Sequence, residues 1–313
     1  MMAPQKRSAE EAESLLVGVR SIVFDIEGTT TPISFVKDTL FPYVRNNIDG
    51  FLTKNFENAE VQKAITALRD LATKEKEEKV EGAVEIPGGD ASKEDVVKAV
   101  SENVKWQMDG DRKTTELKAL QGLIWKDAYE SKEVKGELFE DVGPMLKMLA
   151  EEGVQLYVFS SGSVEAQKLL FANSSQGDLT DVFSGHFDTT TGSKTESASY
   201  KKIAAEIGNE PKDILFLTDI PEEAEAAVAG GLRSALVIRP GNADLTDEHL
   251  QNFACIERFD ELYGDEDDED DIKRFAGDNG EADDDDDDED EGDEDDEEGE
   301  GDNDDDDENP DDI

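Results

Sequence analysis

Histidine and cysteine are almost missing from this chain of 313 residues, which holds only His186, His249 and Cys255. A zinc site needs three or four such ligands, so zinc chemistry is set aside. A lone cysteine cannot close a disulfide within the chain, which suits a reducing, intracellular setting. Positive charge is also scarce, with 31 Lys and Arg against 81 Asp and Glu and a formal net charge of -50. No basic cluster is available to displace counterions from a phosphate backbone, so nucleic acid is excluded as a partner. No apolar run approaches the roughly 20 residues that span a bilayer, so no membrane partner is expected. The opening MMAPQKRSAEEAESLL lacks an apolar core of signal-peptide length. The expected location is therefore the cytoplasm, with the nucleus as a second compartment.

What is abundant is acid, and it is unevenly spread. Between Asp265 and Ile313 there are 33 Asp and Glu against Lys273 and Arg274, so this stretch carries 31 of the 50 net negative charges. Apart from Ile272 and Phe275 it is nearly free of apolar side chains. It cannot bury enough surface to offset the entropy of ordering, and 265–313 is expected to be a disordered acidic tail. Its expected role is solvation, with contact to basic proteins as the alternative. Residues 1–17 are expected to form a flexible N-terminus.

Four short apolar runs read as buried parallel strands: SIVF (21–24), VQLYVF (154–159), DILFL (213–217) and SALVI (234–238). Helical patterns alternate with them, as in PMLKMLAEEG (144–153) and SASYKKIAAEIG (197–208). This alternation predicts a doubly wound α/β fold with right-handed crossovers. The first two strands lie some 130 residues apart. That separation predicts an inserted helical cap at 38–135, between core segments 18–37 and 136–264. Within the insertion, polar residues 74–95 are expected to form an exposed loop.

In an open parallel sheet, ligands lie beyond the carboxyl ends of the strands. Those ends carry Asp25 and Glu27, then Ser160 and Ser161, then Thr218 and Asp219 with Glu223 one turn later; a polar segment, TTTGSKTES, adds Lys194. Together they suit phosphoryl transfer: an aspartate nucleophile, a second acid for protons, hydroxyl and ammonium donors for phosphate oxygens, and carboxylates for a hard cation such as magnesium. Gly28 permits a close turn, and the amides after it are expected to face phosphate oxygens. Each residue has a plainer reading when taken alone. Ser163 fits a helix cap, Asp219 could cap the helix starting near Pro221, Glu223 could serve a helix dipole, and Lys194 could be a solvated lysine. Their joint placement at strand ends is what those readings leave unexplained.

In order and context, Asp25-Ile26-Glu27-Gly28-Thr29, Ser160, Lys194, and Asp219 with Glu223 resemble the four motifs of the haloacid dehalogenase superfamily. The stretches FDIEGTTTPISFVKDTLFPYV, WQMDGDRKTTELKALQGLIW, VFSSGS, FLTDIPEEAEAA and VIRPGNADLTDEH extend the resemblance to its enolase-phosphatase branch, from about Val19 to Tyr263. Most members carry Asp two residues after the nucleophile; Glu27 is the enolase-phosphatase variant.

The resemblance implies a magnesium enzyme, with one ion per subunit. It would act on the small phosphate ester 2,3-diketo-5-methylthiopentyl 1-phosphate, as a monomer. By motif, Asp25 would be nucleophile and metal ligand, and Glu27 acid, base and metal ligand. Asp219 would complete the metal set, while Ser160, Ser161 and Lys194 would hold substrate, Lys194 also serving catalysis. In the cap, Trp106, Trp125, Leu120 and the DGDRK turn face either the substrate or the cap's own core. Competing expectations are a phosphatase for another small ester, or an interaction protein acting through its tail.

Overall fold

Ile22, Val23 and Phe24 are wholly buried and point alternately to two apolar layers, as a strand covered on both faces requires. They form β1 (Ser21–Phe24) in a computed structural model that describes residues 14–264. The expectations for 1–13 and for the tail 265–313 lie outside the described residues.

After β1 a π-helical stretch, Phe35–Leu40, leads into α1 (Phe41–Asn55), α2 (Ala59–Glu77), α3 (Lys93–Asp109) and α4 (Thr115–Glu130). The chain then alternates through α5 (Val142–Glu151), β2 (Gln155–Phe159), α6 (Val164–Ala172), β3 (Phe183–Phe187), α7 (Ser197–Ile207), β4 (Ile214–Thr218), α8 (Pro221–Ala229), β5 (Arg233–Val237), α9 (Asp247–Asn252) and β6 (Ala254–Ile256). The strands form one sheet in the order β3-β2-β1-β4-β5-β6, all parallel. The doubly wound α/β fold is therefore present, with β1 paired to β2 on one side and β4 on the other.

Two strands escape a search for apolar runs. β3 is FSGHF, mostly half-buried, and β6 is only three residues long. Both are outer strands, where less of the surface needs covering and the apolar signal weakens. The expected loop at 74–95 is also shorter, because α2 runs to Glu77 and α3 starts at Lys93. Part of it is buried: Ile86 is in the core, and the Val84 carbonyl accepts from Asn103 Nδ2 at 2.7 Å. Of the N-terminal segment expected to be flexible, residues 14–17 are tied down. Leu15 donates its N–H to the Leu262 carbonyl at 2.9 Å, and the Arg233 guanidinium donates to the Leu15 and Val17 carbonyls.

Helices α1 to α4 bury an apolar cluster of their own, including Val44, Ile48, Leu52, Ile65, Leu68, Val100, Val104, Leu117, Leu120 and Ile124. Leu120 thus belongs to that core and does not face a ligand. Trp106 is stacked by Arg112, whose guanidinium carbon is 4.5 Å from the ring centroid. Trp125 donates its indole N–H to the Leu40 carbonyl at 3.0 Å.

Candidate active site

β1 surfaces at Asp25, whose own N–H still donates to the Leu217 carbonyl of β4 at 2.9 Å. The chain then reverses sharply. The N–H groups of Thr29, Thr30 and Thr31 all donate to the Ile26 carbonyl, at 3.2, 3.0 and 2.9 Å, and Gly28 N–H donates to the Thr31 carbonyl at 2.8 Å. The expectation that these amides face phosphate oxygens is not met, because in this buried turn they converge on the Ile26 carbonyl. Gly28 has φ 79°, and a Cβ there would strike the Asp219 carboxylate. Only glycine lets β1's loop lie against the end of β4.

Lys194 crosses the site from the loop before α7. Its Nζ lies 2.6 Å from Asp25 Oδ1 and 2.6 Å from Glu223 Oε2, and Glu223 also accepts from the Thr218 hydroxyl at 2.8 Å. The loop is pinned behind it, where the Tyr200 hydroxyl donates to the Lys194 carbonyl at 2.6 Å and Ser199 to the Ser193 carbonyl at 2.6 Å. Lys194 is thus a buried bridge and not a solvated lysine. Burial alone would weaken its charge, but Asp25 and Glu223 overcome that and raise its pKa.

Asp219 does not cap the helix after it, since α8 has Ile220 at its N-cap and no side-chain cap bond. Its Oδ1 is buried without a hydrogen-bond partner. Desolvation, reinforced by Asp25 and Glu223, pushes its pKa up to about 7. The carboxyls of Asp25 and Glu223 are likewise raised, first by burial. Three carboxylates share one ammonium here, so full ionisation would leave two negative charges uncompensated in a buried space. That is a site short of a cation.

The other predicted residues stand further out. Glu27 is exposed at the mouth of the site, yet sheltered enough that desolvation raises its pKa, with Lys113 and Lys194 opposing and Asp111 assisting. Asp111 and Lys113 belong to the DGDRK turn between α3 and α4, so that turn does overlook the site. Among the described residues no three His, Cys, Asp or Glu side chains converge as a metal cage. The expected set of Asp25, Glu27 and Asp219 is therefore not preassembled: Asp25 and Asp219 are buried, whereas Glu27 is exposed. Ser160 is buried, its hydroxyl accepting from Gly162 N–H at 3.3 Å; Ser161 is exposed. Ser163 caps α6, accepting from Ala166 N–H at 3.3 Å.

A family profile described as haloacid dehalogenase-like hydrolase matches residues 19–231. The chain is 51% identical to Enolase-phosphatase E1 of Xenopus tropicalis over 78% of its length and 95% of that protein's. The enzyme of the same name from Caenorhabditis elegans is 45% identical, over 77% of this chain and 96% of its own. The chain belongs to the enolase-phosphatase E1 family of haloacid dehalogenase-like hydrolases. A solved structure, the UTR4 protein of Saccharomyces cerevisiae, superposes with a TM-score of 0.61 at 31% identity, over 77% of this chain and 98% of that one.

This enolase-phosphatase E1 family member has further site-building residues that sequence reasoning missed. Under the β1 loop, Arg239 is buried and pairs with Asp141 through two hydrogen bonds of 2.8 Å. It also donates to the carbonyls of Thr29 (3.2 Å) and Glu257 (2.7 Å). Burial alone would raise the Asp141 pKa, but donors from Arg239 and the Phe259 N–H hold it below the usual range. Asn242 donates through Nδ2 to the Gly28 carbonyl at 2.9 Å and to the Val237 carbonyl at 3.2 Å. From α4, Lys118 Nζ donates to the Ser161 carbonyl at 2.8 Å and to the Thr189 hydroxyl at 3.1 Å. Asn242 and Arg239 lie within VIRPGNADLTDEH, which carries a family signal but no local pattern that announces a role.

Proposed function

We propose that the chain is a magnesium-dependent enolase-phosphatase of methionine salvage. It would convert 2,3-diketo-5-methylthiopentyl 1-phosphate to acireductone and phosphate, as a monomer. The observation that carries this reading is the buried group of Asp25, Asp219, Glu223 and Lys194 at the ends of β1 and β4.

The donors suit magnesium. They are oxygens only, two negative charges are uncompensated, and Asp219 Oδ1 has no partner. Magnesium takes one or two carboxylates and completes its shell with waters and phosphate, so a ready-made cage is not required. Asp25 and Asp219 would hold the ion, with Glu27 contributing from the mouth. Bound there, it would supply positive charge against the phosphate and screen Asp25 from it.

The chain's own groups account for the remaining chemistry. Enolisation removes a proton from a substrate carbon and places one on the neighbouring carbonyl oxygen, and Glu27 is assigned these transfers. A raised pKa suits a group that must both give and take protons. Glu27, exposed at the mouth, takes up a proton from solvent; Asp25 then attacks phosphorus, the ester P–O bond breaks, and Glu27 gives that proton to the leaving oxygen. Water hydrolyses the aspartyl-phosphate, with Glu27 now taking the proton and Asp25 regenerated. Ser160, Ser161 and Lys194 would hold the phosphate, with Lys194 compensating the negative charge as it shifts from Asp25 to the transferring group.

The test is phosphate release from the diketo phosphate, followed together with the ultraviolet absorbance of the enol product. Magnesium-dependent release with matching enol formation is expected, and Asp25→Asn should abolish phosphate release. Release from generic esters but none from the diketo phosphate would overturn the substrate assignment.

A further inference from the structure

Helix α4 presents two stripes. Leu117, Leu120 and Ile124 enter the apolar cluster of α1 to α4. On the other side, Lys118 reaches the Ser161 carbonyl and Thr189, Trp125 donates to the Leu40 carbonyl, and Tyr129 joins the apolar cluster of the sheet. Gln121 stands three residues after Lys118 and four before Trp125, and Gly122 four after and three before. Helical spacing therefore sets Gly122 on the Lys118 stripe and Gln121 at its edge, between that stripe and the apolar one of Leu117 and Ile124.

Gln121 is only 3% exposed, and its Nε2 is buried with no hydrogen-bond partner. Other buried polar atoms of these helices also lack partners, Tyr129 OH among them, but the nearby buried side-chain amides are paired. Asn103 Nδ2 donates to the Val84 carbonyl at 2.7 Å, and Gln107 Nε2 donates to Asn103 Oδ1 at 2.7 Å. Gln107 Oε1 in turn accepts from the Thr114 hydroxyl at 2.7 Å. Buried donors are almost always satisfied, so an open one about a turn from the lysine that binds the loops after β2 and β3 asks for an acceptor from a ligand. Gly122 adds a second observation. It is buried, yet a Cβ placed on it would meet no heavy atom within 4 Å. An unfilled space thus lies beside the open amide.

We infer that Gln121 and Gly122 form the specificity wall of the site: the Gln121 amide donates to a carbonyl oxygen of a dicarbonyl phosphate, and the space beside Gly122 receives its apolar end. The inference rests on the enolase-phosphatase reading and names the residues that select its substrate. As Glu27 takes the carbon proton, the C–H pair becomes the C=C bond and the carbonyl π pair moves onto that oxygen, which Glu27 then protonates. Gln121 keeps its own protons and stabilises the charge by hydrogen bonding, as oxyanion donors do.

The test compares Gln121→Met and Gly122→Leu with the unaltered enzyme on two substrates, the diketo phosphate and p-nitrophenyl phosphate, alongside thermal melts. For Gln121→Met, kcat/KM on the diketo phosphate should fall about 10²-fold, the usual cost of losing one such donor. Hydrolysis of the nitrophenyl ester should change less than about twofold, and Tm should hold or rise because an unpaired buried amide has gone. Gly122→Leu should raise KM for the diketo phosphate alone. Parallel losses on both substrates, or no loss on either, would overturn the inference. Failure of the unaltered enzyme to turn over the diketo phosphate would instead defeat the functional reading itself, and would be seen before any variant is compared.

Discussion

At Gly28 the backbone conformation and the lack of a side chain are both used, because φ is 79° and a Cβ would meet Asp219. Gly28→Ala should therefore push Asp25 and Asp219 apart without unfolding the sheet. Activity should drop by about 10²-fold, in line with an ångström-scale misplacement of reacting groups, while circular dichroism stays unchanged. Asp219 gives a prediction in pH. Its folded pKa of about 7 lies above the ordinary 3.8, so between these values the folded state binds more protons than the unfolded one. Without divalent ions that contribution is fully present at the acid end and is lost as pH rises towards 7. Added magnesium should reverse the loss, so the magnesium-induced rise in Tm should be small at pH 5.5 and grow towards pH 8. A rise that is flat with pH would exclude Asp219 as the group that links protons to metal. Asp25, Glu27, Lys194 and Asp219 were legible because each ends a strand or sits in a motif. Lys118 was not, because its partners lie 43 and 71 residues away and nothing local marks a lysine as a bridge.

Among the elements, the β1 loop depends on a support drawn from two distant parts of the chain. Asp141 precedes α5 and Arg239 follows β5, 98 residues later, yet they form a buried two-pronged pair under Thr29. Removing one member strands the other charge in the interior. Asp141→Asn should cost about 3–5 kcal/mol in denaturant unfolding, whereas replacing both by apolar residues should cost less than the sum of the single changes. Periodicity revealed α5 and α7 but not β3 or β6. The half-buried FSGHF and the three-residue ACI take their strand character from the neighbours β2 and β5, which a sequence pattern does not contain.

For the molecule as a whole, the order β3-β2-β1-β4-β5-β6 explains why residues from four separate segments meet. Strands added after β1 run outward through β2 to β3, and the chain then returns to lay β4 on the other side. The crevice opens where the direction of winding changes, between the ends of β1 and β4, and Asp25 and Asp219 stand there. Alternating apolar runs made that architecture readable. The pairing of α4 with the strand ends, through Lys118, depends on how the helices fold back and had no counterpart in the sequence pattern. β1 is also one of the two central strands, with its residues bonded to β2 on one flank and β4 on the other. Local fraying of β6, or of the connection between α2 and α3, has no need to disturb it. Asp25 is thus anchored to a strand held on both flanks, and a partly frayed molecule should keep the Asp25–Lys194 pair until the sheet itself gives way.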